Sequence, residues 1–199
     1  YYGGLRKYQW ATIPLALHGV IIRADGTSVN VKLGDEPGAY KKEACETKPS
    51  AYGAYHAAVI LSLFGELQKL DGKTIDAWAA RINAYQCGNG YYSNHSENKD
   101  RVRGADELDS IWHFTRGMLW TLYVLGRRPE ADLCFLEPLL NKERMYSYVK
   151  KYDWSNSWAA GNQICALSTA MFALRDFYGV PIEYAASTAS AAKTVALSD

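Results

Sequence analysis

The run Asp106-Glu107-Leu108-Asp109-Ser110-Ile111-Trp112-His113-Phe114-Thr115-Arg116 is the densest set of groups capable of chemistry in this chain. On a helix, Asp109, His113 and Arg116 fall four and three residues apart and share one face. A carboxylate placed there would orient the imidazole as a general base, while the guanidinium would hold an anionic substrate. The same residues also suit a purely structural part. Acids at a helix start complement its dipole, Asp109 or Ser110 can serve as the cap, and His113 can bridge two helices from the interior.

A second cluster is Asp153-Trp154-Ser155-Asn156-Ser157-Trp158 with Gly161-Asn162-Gln163 following it. Two indole rings beside amides suit a sugar, which stacks its C–H face and hydrogen-bonds its edges. Asn162 or Asn156 bonded to a uronate carboxylate would favour loss of the α proton, the first step of β-elimination. The competing reading makes Trp154 and Trp158 packing anchors and Asn156 an N-cap. Cys45, Cys87, Cys134 and Cys165 form no CxxC pair, and Asp132-Leu133-Cys134 is a weak zinc motif. The reading is therefore of free, mostly buried thiols, with no metal and no cofactor. A Gly-rich phosphate loop, a Ser nucleophile elbow and HExxH are all missing, and Asn94-His95-Ser96 matches a glycosylation sequon.

These groups need elements to hold them. Val20 to Arg23 and Ser28 to Leu33 around Asp25-Gly26 read as a β-hairpin, and residues 34–50 as a connector rich in Gly, Pro and charge. Tyr52 to Leu70 is apolar nearly all round, which predicts an inner helix, while Ile75, Trp78, Ile82 and Tyr85 predict an outer helix with one buried stripe. The alternation returns with Leu108 to Leu125, then a helix capped by Asn141 that carries Met145, Tyr148, Val149 and Tyr152, then Asn156 to Tyr178. The expected division is 1–50, 51–183 and a small-residue tail or weak helix over 184–199.

The 199 residues suffice for a real core, and a net charge of +1 gives no reason to expect nucleic acid or an acidic membrane. The apolar helices are interrupted before membrane-spanning length, so no membrane span is expected. Tyr outnumbers Phe by 15 to 5, which suits phenols that meet water, sugars or a wet interface. The chain opens on Tyr1 rather than Met, which reads as a processed product or a part of a larger chain or assembly.

Repeated helical hairpins of this kind point to stacked α-hairpins. The inner helices and Gln86-Cys87-Gly88-Asn89-Gly90-Tyr91-Tyr92 resemble the α/α-toroid superfamily. That superfamily includes terpenoid cyclases, protein prenyltransferase β-subunits and toroidal polysaccharide lyases. The segment looks like the Gln-x3-Gly-x-Trp turn of the cyclases, with Tyr92 in the place of Trp, and like the Asp-Gly-Ser-Phe-x-Gln-His segment of some lyases. The resemblance implies an all-α, incomplete α/α toroid of hairpin repeats with a short N-terminal β-hairpin. Its inner helices would line a cavity, so the groups that open them carry any chemistry. His113, Asp109 and Arg116 would be catalytic, and Asn162, Asn156, Trp154, Trp158, Tyr92 and His56 would bind substrate. The expected function is glycan processing on a polysaccharide or oligosaccharide, lyase-like or hydrolase-like. Two alternatives stay open: a non-catalytic helical-repeat interaction module, and an isoprenoid-binding domain.

Overall fold

The computed structural model describes residues 20–22, 28–30, 36–41, 47–63, 65–94 and 105–181, with side chains withheld for 20–22, 28–30 and 105–110. The described part is mostly helical. Two compact units are present: Tyr1–Ala84 with Val124–Arg127, and Tyr85–Tyr123 with Arg128–Asp199. Strands β1 (Val20–Ile22) and β2 (Ser28–Asn30) pair antiparallel with Val20 opposite Asn30, Ile21 opposite Val29 and Ile22 opposite Ser28. The turn expected at Asp25-Gly26 lies outside the described residues, as does the expected tail.

In the first unit, helix α1 (Ala51–Leu63) starts at Ser50, whose Oγ accepts from the Gly53 amide at 3.1 Å. Its buried face is built from small residues, Ala51, Gly53, Ala54, Ala57 and Ala58, with Leu61. This lets the chain at Tyr40 come close, and a Cβ on Gly53 would strike the Tyr40 carbonyl. The expected helix from Tyr52 to Leu70 is cut short because Gly65 turns left-handed at φ 69°. The Gly65 amide then donates to Ser62 and the Glu66 amide to Leu61, which satisfies the end carbonyls. A single 3-10 turn (Leu67–Lys69) follows.

Helix α2 (Gly72–Asn83) begins at Asp71, whose carboxylate accepts from both the Thr74 amide at 2.9 Å and the Thr74 hydroxyl at 2.8 Å. The sequence stripe holds for Ile75, Trp78 and Ile82, which are buried with Ala79, while Tyr85 lies in the turn beyond the helix and is half-buried. Trp78 stacks on Tyr40 with ring centres 5.4 Å apart, and Arg81 ties the 36–37 segment down through Glu36 and the Pro37 carbonyl.

The second unit centres on α3 (Ala105–Val124) and α5 (Ser157–Tyr178), each apolar over most of its surface. Met118, Leu119 and Leu122 of α3, and Leu167, Ala170 and Met171 of α5, are shut off from water. Between them in the chain come a 3-10 segment (Cys134–Leu140) and α4 (Lys142–Val149). Asn141 caps α4 by accepting from the Arg144 amide at 2.9 Å, and Met145 and Val149 form its buried stripe. Asn156 caps α5 through the Ala159 amide at 3.1 Å, and Gly179 at φ 70° ends it.

The turn 86–92 is closed by a bridge between Gln86 and Tyr92 and fastened to the distant loop at 131–135. The Gln86 carboxamide donates to the carbonyls of Ala131 at 2.8 Å and Gly90 at 3.1 Å, and accepts from the Ala131 amide at 2.8 Å. Gly90 is required twice over. Its φ of 95° suits glycine, and a Cβ there would run into the Asp132 carbonyl.

Two outcomes follow for stability. Gly90→Ala should lose at least about 2 kcal/mol in urea unfolding, from strain plus overpacking. Gly88→Ala, with no atom within 4 Å of the new methyl, should stay within about 0.5 kcal/mol of wild type. The Thr74 amide, followed by the Thr74 hydroxyl, holds the Asp71 carboxyl below its ordinary value of 3.8. A lowered folded value means that this contribution is present above the ordinary value and lost as pH falls through the folded one. Asp71→Asn keeps the cap but does not titrate. Its melting temperature should therefore fall less than that of wild type when pH drops below about 4; parallel curves would refute the assignment.

Candidate functional site

Three polar side chains singled out by sequence meet inside the second unit. His113 and Arg116, one turn apart on α3, face Asn162 from the first half of α5. Arg116 donates from one guanidinium nitrogen to Asn162 Oδ1 at 3.1 Å, while the other lies 3.2 Å from His113 Nδ1. His113 Nδ1 and Asn162 Oδ1 are 3.3 Å apart. All three residues are half-buried.

The contacts allow two tautomers: with the proton on Nε2, Nδ1 accepts from Arg116; with the proton on Nδ1, the ring donates to Asn162 Oδ1. We assign the Nε2 tautomer, in which both close contacts of the guanidinium are hydrogen bonds. In it the Nδ1 lone pair is engaged by Arg116, which differs from the general-base role read for His113. Arg116 spends one N–H on each neutral acceptor. Among the described residues it has no carboxylate partner.

The other expected site residues are distributed elsewhere. Asp109 lies on α3, but its side chain is outside the described set. Asn156 is the α5 cap, as the structural reading of that cluster held. Trp154 gives its indole N–H to the Val149 carbonyl at 3.2 Å and its ring approaches Tyr152. Trp158 is 86% exposed at the start of α5. Tyr92 is fully buried, so it has no surface to offer a substrate. Burial above all, then the charges of Tyr178 and Glu130, push its phenol far above the ordinary tyrosine range. Its backbone N–H donates to Thr115 Oγ1 at 3.0 Å, so the residue fastens the turn to α3. His56 belongs to the first unit, exposed between Tyr52 and Tyr55. Cys87 is buried, whereas Cys134 and Cys165 are exposed, against the expectation of mostly buried thiols.

Sequence reasoning missed an exposed aromatic cleft along α3 and α5. Trp120 and Tyr123 stack at 6.1 Å, Tyr123 approaches Phe177, and the Arg175 guanidinium sits 4.8 Å over Phe172. The signal was present as aromatics spaced three apart on α3, but they were absorbed into the inner-helix pattern. Among the described residues no three His, Cys, Asp or Glu side chains gather as a metal site, and no helix is long and apolar enough to cross a membrane.

No protein family model matches the chain, and no solved structure matches it. Short local similarities do exist. A 36-residue stretch is 64% identical to a probable M18 family aminopeptidase 1 of Clostridium acetobutylicum, covering 18% of this chain and 8% of that protein. The corresponding protein of Thermotoga maritima is 51% identical over 37 residues, and that of Borreliella afzelii 49% over 35. The chain thus spans 8% of the length of the curated relatives it matches. These similarities overturn the glycan-processing expectation in both its lyase and hydrolase forms, and nothing supports the polysaccharide partner. They lend nothing to the interaction-module or isoprenoid alternatives.

The proton assignment is open to a direct check. Long-range 15N–1H NMR of His113 should show a bare Nδ1 and a protonated Nε2. Arg116→Met should release the ring to the tautomer mixture of an unconstrained imidazole. A protonated Nδ1 in the wild type would refute the arrangement.

Proposed function

We propose that this chain takes part in peptide hydrolysis, and that Arg116, steadied by His113 and Asn162, holds a carboxylate of the peptide. The observation that carries the peptide reading is the 64% identity over 36 residues to a probable aminopeptidase. The site adds chemistry consistent with it. A half-buried guanidinium that meets neutral acceptors alone among the described residues attracts an anion, and its planar fork suits a carboxylate bound through two parallel hydrogen bonds. The α/α-toroid likeness is an architectural proposal resting on chain order, with apolar α1, α3 and α5 alternating with one-sided α2 and α4.

Two readouts test this. Mass spectrometry of a peptide panel incubated with the chain should show release of N-terminal residues. In NMR titrations, peptides with a free carboxylate should bind, and amidation should weaken them by about tenfold, as loss of one charge-assisted pair would. Arg116→Met should produce the same loss and make the two peptide forms equivalent. Peptides that bind wild type and Arg116→Met alike would remove the carboxylate role. A panel left uncut would remove the hydrolytic one.

A further inference from the structure

On the side of α3 facing the turn 86–92, the second unit carries a half-open cavity of about 340 Å³. This is the lower part of the size range in which small molecules are bound, roughly 300–1,000 Å³. Its walls come from four separate stretches: the turn, α3, the 3-10 segment and α4. Aromatic rings dominate. Phe135 meets Trp112 at 5.3 Å and 63°, and Tyr91 at 6.5 Å and 88°, both edge-to-face. Trp112 meets Tyr148 at 6.3 Å and 56°.

Three polar groups of the wall are already engaged. The Trp112 indole N–H donates to the Tyr148 hydroxyl at 2.8 Å, and Thr115 Oγ1 is occupied with the Tyr92 backbone. No charged side chain is among the described lining residues. Asn89 supplies the polar edge from an exposed position. Its carbonyl accepts from the Phe135 amide at 3.1 Å, which ties the turn to the 3-10 segment and holds the two walls together. Its side-chain amide has no hydrogen-bond partner among the described residues.

We propose that this cavity binds a small, neutral, planar molecule: an aromatic body seated among Trp112, Tyr91 and Phe135, with an amide-like group that exchanges hydrogen bonds with Asn89. Edge-to-face walls favour a flat ring system, since each ring contributes beyond the area it buries. The described lining disfavours an anion, because ring faces repel negative charge and no cationic side chain among the described lining residues would replace the water the anion gives up. The cavity shares no residue with the Arg116 cluster, so the two sites are opposite in polarity and separate in composition.

The probe is 2-naphthamide, titrated into the whole chain and followed by the Trp112 indole 1H–15N peak, assigned by its loss in Trp112→Phe. Saturable movement of that peak is expected. The anion 2-naphthoate should bind about tenfold more weakly or worse, reflecting the cost of burying its charge. Pro138→Trp places a ring at an exposed lining position and should weaken 2-naphthamide by at least about tenfold through occupation of the cavity. Asn89→Trp does the same from the opposite rim and serves if the first variant fails to fold. Equal binding of amide and carboxylate, an unmoved Trp112 peak at millimolar probe, or undiminished binding in a folded occluding variant would each overturn the assignment.

Discussion

The second unit depends on one carboxamide. Gln86 is joined to Ala131 through both its donor and its acceptor, and it also closes its own turn through the Gly90 carbonyl. Connections between segments 45 residues apart usually rest on apolar packing, which tolerates sliding. Paired hydrogen bonds to one peptide unit do not, because a displacement leaves several half-buried polar groups unsatisfied together. With that register fixed, Gly90 must lie against the Asp132 carbonyl, and the Phe135 amide reaches Asn89. Tyr92 is then delivered to Thr115 on α3. The aromatic cavity is a consequence: its turn wall and its 3-10 wall are held by the same fastening.

How much of this was legible in the sequence follows from the range of each interaction. Asn141 and Asn156 were readable as caps because a cap needs only its own side chain and an amide three residues on. Ile75, Trp78 and Ile82 were readable because helical period alone puts them on one face. The break at Gly65 was hidden inside a continuous apolar run, where hydrophobicity argued for continuation and only the left-handed backbone argued against it. The Gln86 turn was visible as a motif, yet its target Ala131 carries no side-chain signature, since Gln86 binds its backbone. Tyr92 was misread for the same reason: a motif gives residue types, and burial depends on what is folded over them.

The candidate site shows the same division. His113 and Arg116 were paired correctly by spacing, and Asn162 was selected independently from another helix. That the three would touch was not derivable, and the contact changes their chemistry. Alone on a helix face, an imidazole beside an acid looks like a base. With a guanidinium 3.2 Å from Nδ1, the Nε2 tautomer assigned above makes that side an acceptor. Peptidase similarity left no trace in motif reading at all, because the familiar nucleophile and metal signatures were missing from the sequence.

Helix α3 keeps two incompatible environments apart by rotation alone. Successive residues advance by about 100° around the axis. Trp112 and Thr115 therefore fall on one side with the uncharged cavity, while His113 and Arg116 turn to another with Asn162. An anion brought into the aromatic cavity would lose water and face the negative faces of the rings, and the same rings set around Arg116 would shield it from the anions it attracts. Shifting the helix by one residue would turn His113 and Arg116 into the place of Trp112 and Thr115. The contacts that prevent such a slip are Thr115 with the Tyr92 backbone, Trp112 with Tyr148, and Arg116 with Asn162. They bind α3 to the turn, to α4 and to α5 in turn, so the separation of polarity on which both sites rest is set by three hydrogen bonds in three directions.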